Sequence, residues 1–412
     1  MKKARLTLIL LALSAALAFP ACAGAENVPG PSSPMGTQMP IVSAENVTRE
    51  AFFANGTPIT IREPKADTEG MIHDEAVQNG LANGYGPKSK PGTGSLITWE
   101  EADGTHYVYV SGHAKVFGGS MNASVQADVR ITVTGQNVRK AFPNVSFLFG
   151  GGYRGDVIGS VAITLEESQM MYVYGGGYNG SVTGDVTVSS SGSNWSLDMV
   201  GGGLASSMTE DAVADVGGSV TLDLKGMMIS YMDTLVAGGL AESISGYTAR
   251  ADVGGNVNLY AEGRNVYQVC GGGEAYRTEA SCGKPSACVG GSVTLELRGS
   301  RVRYFSEGKT TLLGGVFAGG LAYYGTATVG GGLDATVADT VFDEAALGVV
   351  LGGLAEGDGS EADVGGDATG RILPGANPAR LIRGGLVVGD STAEVMGDVR
   401  WYYTHTDGLT DY

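Results

Sequence analysis

The chain has 412 residues, 43% hydrophobic and only 17% charged, with 68 glycines, and 43 acidic against 26 basic side chains give a net charge of −17 at pH 7. A field of that sign repels polyanions, which excludes nucleic acid and anionic lipid as partners and leaves metal ions and basic partners open. The glycine has no three-residue period and comes with abundant Val and Leu, which excludes a collagen-like fibre and a disordered chain alike.

Met1-Lys2-Lys3-Ala4-Arg5, the apolar run Leu6 to Phe19 and the small residues Ala23-Gly24-Ala25 predict a secretory signal peptide over residues 1–25. The run is too short to stay in a bilayer, so no transmembrane span is expected in the mature chain. Lipoprotein anchoring through Cys22 is the second reading, and Pro20 in the preceding triplet Phe19-Pro20-Ala21 fits it poorly. Residues 26–104 are expected to form a leader, with Pro29, Pro31, Pro34 and Pro40 among Gly and Ser, followed by an irregular N-terminal cap. The cap contains a predicted strand at Ile59–Glu63, a turn-rich loop at 86–92, and Leu96–Glu100 leading into His106–Gly112.

From residue 105 the sequence repeats itself. "VGGSVTLDLKG" at Val216–Gly226 returns as "VGGSVTLELRG" at Val289–Gly299, and looser copies of V-x-G-x-V give nine anchors: Val125, Val157, Val182, Val216, Val253, Val289, Val329, Val364 and Val395. The steps run from 25 to 40 residues, and the 25-residue step is too short for a four-stranded propeller blade. Within a unit, Val220, Leu222 and Leu224 alternate with Thr221, Asp223 and Lys225, the period of a strand with one buried face. The polar outward face argues against a transmembrane barrel. Between strands stand glycine corners such as Phe149-Gly150-Gly151-Gly152, Tyr174-Gly175-Gly176-Gly177 and Ala237-Gly238-Gly239, where glycine permits unusual backbone angles or close approach.

One unit therefore reads strand, variable segment, second strand ending in glycine, polar turn, next strand. Near-identical strands are what parallel stacking demands, because like residues then meet rung by rung. The predicted fold is all-β: a parallel β-solenoid (β-helix) of about nine coils over 105–394, its rungs sharing one apolar interior. A last strand and C-terminal cap, rich in Trp401, Tyr402 and Tyr403, occupy 395–412.

The residue before each anchor is Asp156, Asp215, Asp252, Asp363 or Glu394 in five units and Ser124, Ser181, Cys288 or Thr328 in the others. Stacked carboxylates need turn hydrogen bonds, water or cations. The plain reading is bonding to turn amides. The sharper one is calcium at Asp358, Glu361 and Asp363, in a stretch that also holds Glu356. Cys282 and Cys288 flank a small loop that a disulfide would staple, and Cys270 before Gly271 reads as a buried free thiol. Arg264, Arg277, Lys284, Arg301, Arg303 and Lys309 interrupt the repeat around its longest step, where a catalytic site would have to break the pattern. His106 and His113 lie on opposite faces of one extended stretch and His73 and His405 stand far off, so no shared metal is expected. Tyr153, Tyr172, Tyr174 and Tyr178 form either a stack along one edge or an aromatic strip for carbohydrate. No nucleophile elbow, phosphate loop or H-E-x-x-H pair occurs, so no catalytic residue is assigned.

The V-x-G-x-V-T-L-x-L strands alternating with glycine corners over about residues 105–403 resemble the glycine-rich repeats of secreted bacterial β-solenoids, among them adhesin-like and autotransporter-passenger-like regions. The resemblance implies a secreted or cell-surface protein that binds a host or matrix glycan or protein, non-enzymatic and adhesive or structural. The alternatives are a polysaccharide lyase or hydrolase built on a β-helix, and a self-assembling coat element. This chain ends at Tyr412 without the translocator barrel of the autotransporter pattern or an L-P-x-T-G signal.

Overall fold

The computed structural model describes residues 51–62, 95–100, 104–111, 115–134, 147–168, 170–194, 196–226, 232–244, 246–277, 281–307, 310–312, 314–403 and 410–411. The signal peptide over 1–25, Cys22, the leader before residue 51, the loop at 86–92, and His73, His113, His405 and Lys309 lie outside them. The architecture is all-β, repetitive and almost wholly parallel, of the solenoid type. Among the described strand pairs, two are antiparallel: Ser95–Glu100 with His106–Ser111, at one edge of the largest continuous ladder, and Phe305–Glu307 with Thr310–Leu312.

Repetition in the sequence becomes repetition in space. The nine anchor valines are joined in one file of parallel bridges, Val125 to Val157, on to Val182, and so to Val395. Beside that file runs a 12-stranded long sheet in which Val186, Val220, Val257 and Val293 lie in register, with Val188, Leu222, Leu259 and Leu295 two places on. The inward members of these strands are buried and the outward Thr221, Asp223 and Asn258 are half-buried. Fully burying a Val or Leu side chain is worth about 1.5–3 kcal/mol. A lone rung would leave most of that apolar face in water, so each rung needs its neighbours.

After the long strand, each unit adds a short strand to a second sheet, including Phe147–Phe149, Tyr172–Tyr174, Asp198–Val200, Met232–Val236 and Asn265–Cys270. Beyond the glycine corner lies a further strand that the two-strand reading of the unit lacked. Leu204–Ser206, Leu240–Ser243, Glu274–Arg277, Leu321–Tyr323, Leu354–Glu356 and Leu386–Val388 form a third sheet.

The expected single interior is therefore replaced by three clusters. The first fills the space between the long sheet and residues such as Leu148, Val173, Leu235 and Val269 of the second sheet. A second cluster joins the opposite face of that sheet, with Phe117, Phe149, Tyr174 and Phe317, to Leu204, Leu240 and Leu321 of the third. The last is a file of alanines, Ala205, Ala241 and Ala275 packing with Ala214, Ala251 and Ala287. The cause is local: Phe147-Leu148-Phe149 and Tyr172-Val173-Tyr174 are apolar at consecutive positions, so both faces of the second sheet must be covered.

The corners show why glycine recurs. Gly175 has no positive φ, so unusual backbone angles are not its reason. A Cβ on it would sit 2.1 Å from the carbonyl oxygen of Gly201 in the next rung and 2.5 Å from Val186 Cγ1. At Gly239 the obstacle is the returning chain, with the Ala251 carbonyl oxygen at 2.0 Å. Only glycine lets rung, neighbouring rung and returning segment approach this closely.

Candidate functional site

The acidic register forms a hydrogen-bonded file along the stack. Asp156 Oδ1 accepts the Ser181 amide at 2.9 Å, Ser181 Oγ accepts the Asp215 amide at 3.2 Å, Asp215 Oδ1 accepts the Asp252 amide at 3.0 Å, and Asp252 Oδ1 accepts the Cys288 amide at 2.7 Å. Asp363 Oδ1 takes the Glu394 amide at 2.7 Å. Ser181 and Cys288, which break the acidic pattern in sequence, belong to the same file in space. Each carboxylate satisfies an amide of the following rung and is spaced from its neighbours by it, the plain reading of this register.

A second file was missed although its signal is present in sequence. The residue just before the long strand is Asp128, Ser160, Asp185, Ser219, Asn256 or Ser292 in successive units, always a short side chain with an acceptor oxygen. Each accepts the amide of its counterpart one rung on, from Ser160 N on Asp128 Oδ1 at 2.9 Å to Ser292 N on Asn256 Oδ1 at 2.9 Å.

The candidate calcium ligands Asp358, Glu361 and Asp363, and Glu356 beside them, have different surroundings. Glu361 pairs with Lys284 at 2.7 Å, Asp363 bonds the next rung, Asp358 is exposed, and Glu356 is buried on the third sheet. Among the described residues no group of three or more His, Cys, Asp or Glu is placed to hold a metal ion.

Among the described residues no disulfide joins Cys282 to Cys288. Cys288 stands in the acidic file, where its sulfur meets Thr328 Oγ1 of the next rung at 3.2 Å and Ser286 Oγ at 3.5 Å, so it points along the stack. Cys270 is fully buried, and burial pushes its thiol pKa well up.

Tyr153, Tyr172, Tyr174 and Tyr178 are buried in the second cluster and do not form a carbohydrate strip. They stack instead: Phe149 on Tyr174 at 4.7 Å between ring centroids, Phe147 on Tyr172 at 4.6 Å and Tyr153 on Tyr178 at 5.4 Å. Like rings meeting in register add stacking energy to burial.

Among the described residues, the basic side chains around the longest step are engaged in the scaffold. Arg264 is buried, donating from Nη2 to Ser190 Oγ at 2.8 Å and to the Lys225 carbonyl at 3.0 Å, and burial lowers its pKa to about 10. Arg301 pairs with Asp343 at 2.7 Å, while Arg277 lies over the Tyr324 ring at 4.9 Å and Arg303 over Tyr267 at 5.5 Å.

What faces solvent as an organised surface is the outer side of the long sheet. At the rungs carrying Val220, Val257 and Val293, a shallow cleft of about 330 Å³ is lined by Thr221, Asp223, Lys225, Tyr260, Glu262, Glu296 and Arg298, with Leu224 and Ala261. Asp223, Tyr260 and Glu296 are direct cross-strand neighbours in one column. Lys225 Nζ lies 2.8 Å from Asp223 Oδ2, and Arg298 pairs with Glu296. Tyr260 is 38% exposed between these two ion pairs. Its position in an outward column was legible from the alternation. Its neighbours Asp223 and Glu296 were legible too, since each of the three stands seven residues after its anchor valine, Val216, Val253 or Val289.

Among the described residues no helix is long and apolar enough to cross a membrane. Comparison with known proteins found no matching family model, no similar curated protein and no similar solved structure.

Proposed function

We propose that this chain is a secreted or surface-displayed, non-enzymatic β-solenoid of about nine coils, adhesive or structural in role, whose outer face meets a glycan or protein of a host or matrix. The observation that carries the reading is the columnar outer face of the long sheet. Its side chains stand at a fixed rung spacing of about 4.8 Å on a backbone held by parallel pairing and two polar files. A rigid, periodic, polar surface suits recognition of an extended partner, because little side-chain or loop ordering has to accompany contact. Among the described residues, Arg264, Arg301 and Arg303 each engage a separate partner in the scaffold, which favours the binding reading over a polysaccharide-cleaving β-helix.

The test pairs a binding array of glycans and matrix proteins with an assay for new reducing ends or unsaturated sugar products. Saturable binding without product formation is the expected result. Product formation with multiple turnovers makes the chain a lyase or hydrolase, and concentration-dependent fibres in the absence of any ligand make it a coat element.

A further inference from the structure

Tyr260 is out of place for a purely structural residue. The column it occupies runs Ser189, Asp223, Tyr260, Glu296, Thr336, Arg371 and Tyr402 across successive rungs, all on the solvent side of the long sheet. Stacked aromatic pairs stabilise the interior of this protein, but Tyr260 has a carboxylate directly opposite on each side and no cross-strand aromatic neighbour. Its ring is partly in water and forms one wall of the cleft.

The polar surroundings restrict what fits against that ring. Asp223 and Glu296 are already neutralised by Lys225 and Arg298 on their own strands, so a ligand need bring no compensating charge. The lining sets Asp223, Glu262 and Glu296 against Lys225 and Arg298, a balance of a single negative charge with both bases already paired, so it favours no highly charged ligand, and a polyanion also meets a chain of net charge −17. What the cleft offers is one amphipathic ring face, paired carboxylates as acceptors, ammonium and guanidinium groups as donors, the further carboxylate of Glu262, and the Thr221 hydroxyl. A pyranose matches this set. It has an apolar C–H face for an aromatic ring and a rim of hydroxyls that both donate and accept.

We propose that the Tyr260 cleft binds a neutral, linear, pyranose-based glycan, one sugar ring lying on Tyr260 and its hydroxyls bonding the Asp223–Lys225 and Glu296–Arg298 pairs. The proposal rests on the adhesive reading above and names its ligand class. The openness of the cleft fits an internal segment of a polymer laid across the rungs. The column continues four rungs on to Tyr402, itself 55% exposed.

The full chain is titrated against immobilised neutral gluco-, manno- and galacto-hexaoses and, in parallel, against immobilised matrix proteins. At least one hexaose class is expected to bind, with less than a twofold change in Kd between 50 and 500 mM NaCl. Tyr260→Thr, which places the residue type of Thr336 in the column, is expected to weaken binding tenfold or more while the circular dichroism and melting curve stay as in the parent. Tyr260→Phe keeps the ring face and is expected to stay within threefold. Unchanged binding by a folded Tyr260→Thr protein overturns the site, and steeply salt-dependent binding overturns the neutral ligand class. Binding to matrix protein with none to any hexaose overturns the glycan inference and leaves the adhesive reading standing. No binding to either overturns both.

Discussion

Glu274 is the sharpest departure from the repeat. Its column in the third sheet reads Leu204, Leu240, Glu274, Leu321, Leu354 and Leu386. The side chain is fully buried, and neither carboxyl oxygen has a hydrogen-bond partner among the described residues. Burial pushes its pKa up from 4.5 to about 8, which favours the protonated, neutral carboxyl near pH 7. Glu356, in the same sheet, is raised to about 7 by the same cause, and Asp198, on the second sheet, lies well above its ordinary value through burial and then the nearby Asp233. These acids hold protons in the folded state that the unfolded chain has already released. Their contribution to stability is full below about pH 4.5 and is lost as pH rises through about 8. The urea midpoint is therefore expected to fall between pH 5 and pH 8. Glu274→Leu, which restores the column, should raise stability at pH 8 by a few kcal/mol and flatten the slope. An unchanged slope in the variant would show that Glu274 is not the titrating group.

At the scale of the element, the glycine corner limits how closely rungs can stack. Gly175→Ala drives a methyl group into a backbone carbonyl and into Val186, neither of which can move without parting two rungs. Such overpacking against backbone is expected to cost about 3 kcal/mol or more. Gly384 occupies a corner where a Cβ would meet nothing within 4 Å, and its φ is not positive. Gly384→Ala should be neutral or slightly stabilising, because alanine loses less backbone entropy on folding. Thermal unfolding of the two variants checks the contrast, and equal effects would mean that the corner acts through chain stiffness and not through close approach. The polar files serve the same purpose at the turns, where each rung offers an oxygen to an amide of the next.

On the scale of the whole molecule, stability is close to a sum of rung terms and rung–rung interfaces. Excising residues 253–288 removes one full step and brings the Val289 strand onto the Val216 strand, whose eleven residues differ from it only by Asp to Glu and Lys to Arg. The shortened chain is expected to fold, with an unchanged far-UV spectrum per residue and a denaturant m-value reduced in proportion to the lost surface. It should also lose glycan binding, since Tyr260 leaves with the rung. Excising half a step would place corner glycine against strand valine, and collapse of the cooperative transition is the expected outcome. If both deletions behave alike, the rungs are not interchangeable units.

The sequence by itself determined the all-β stack and its register, because like residues recurring at like positions can satisfy parallel pairing and burial in only one alignment. The nine valines, the alternation of the long strands and the amide-bonding role of the acids could all be read from one unit and its copies. What lay beyond it were relations between one part of a unit and another, which a repeating pattern does not specify. The third sheet, the burial of Tyr153 and Tyr178, and the pairing of Glu361 with Lys284 all depend on how one unit folds back over its own second strand. That folding is decided by three-dimensional packing of Phe, Tyr, Leu and Ala faces. Local alternation shows that a face is apolar, but not which other face will cover it.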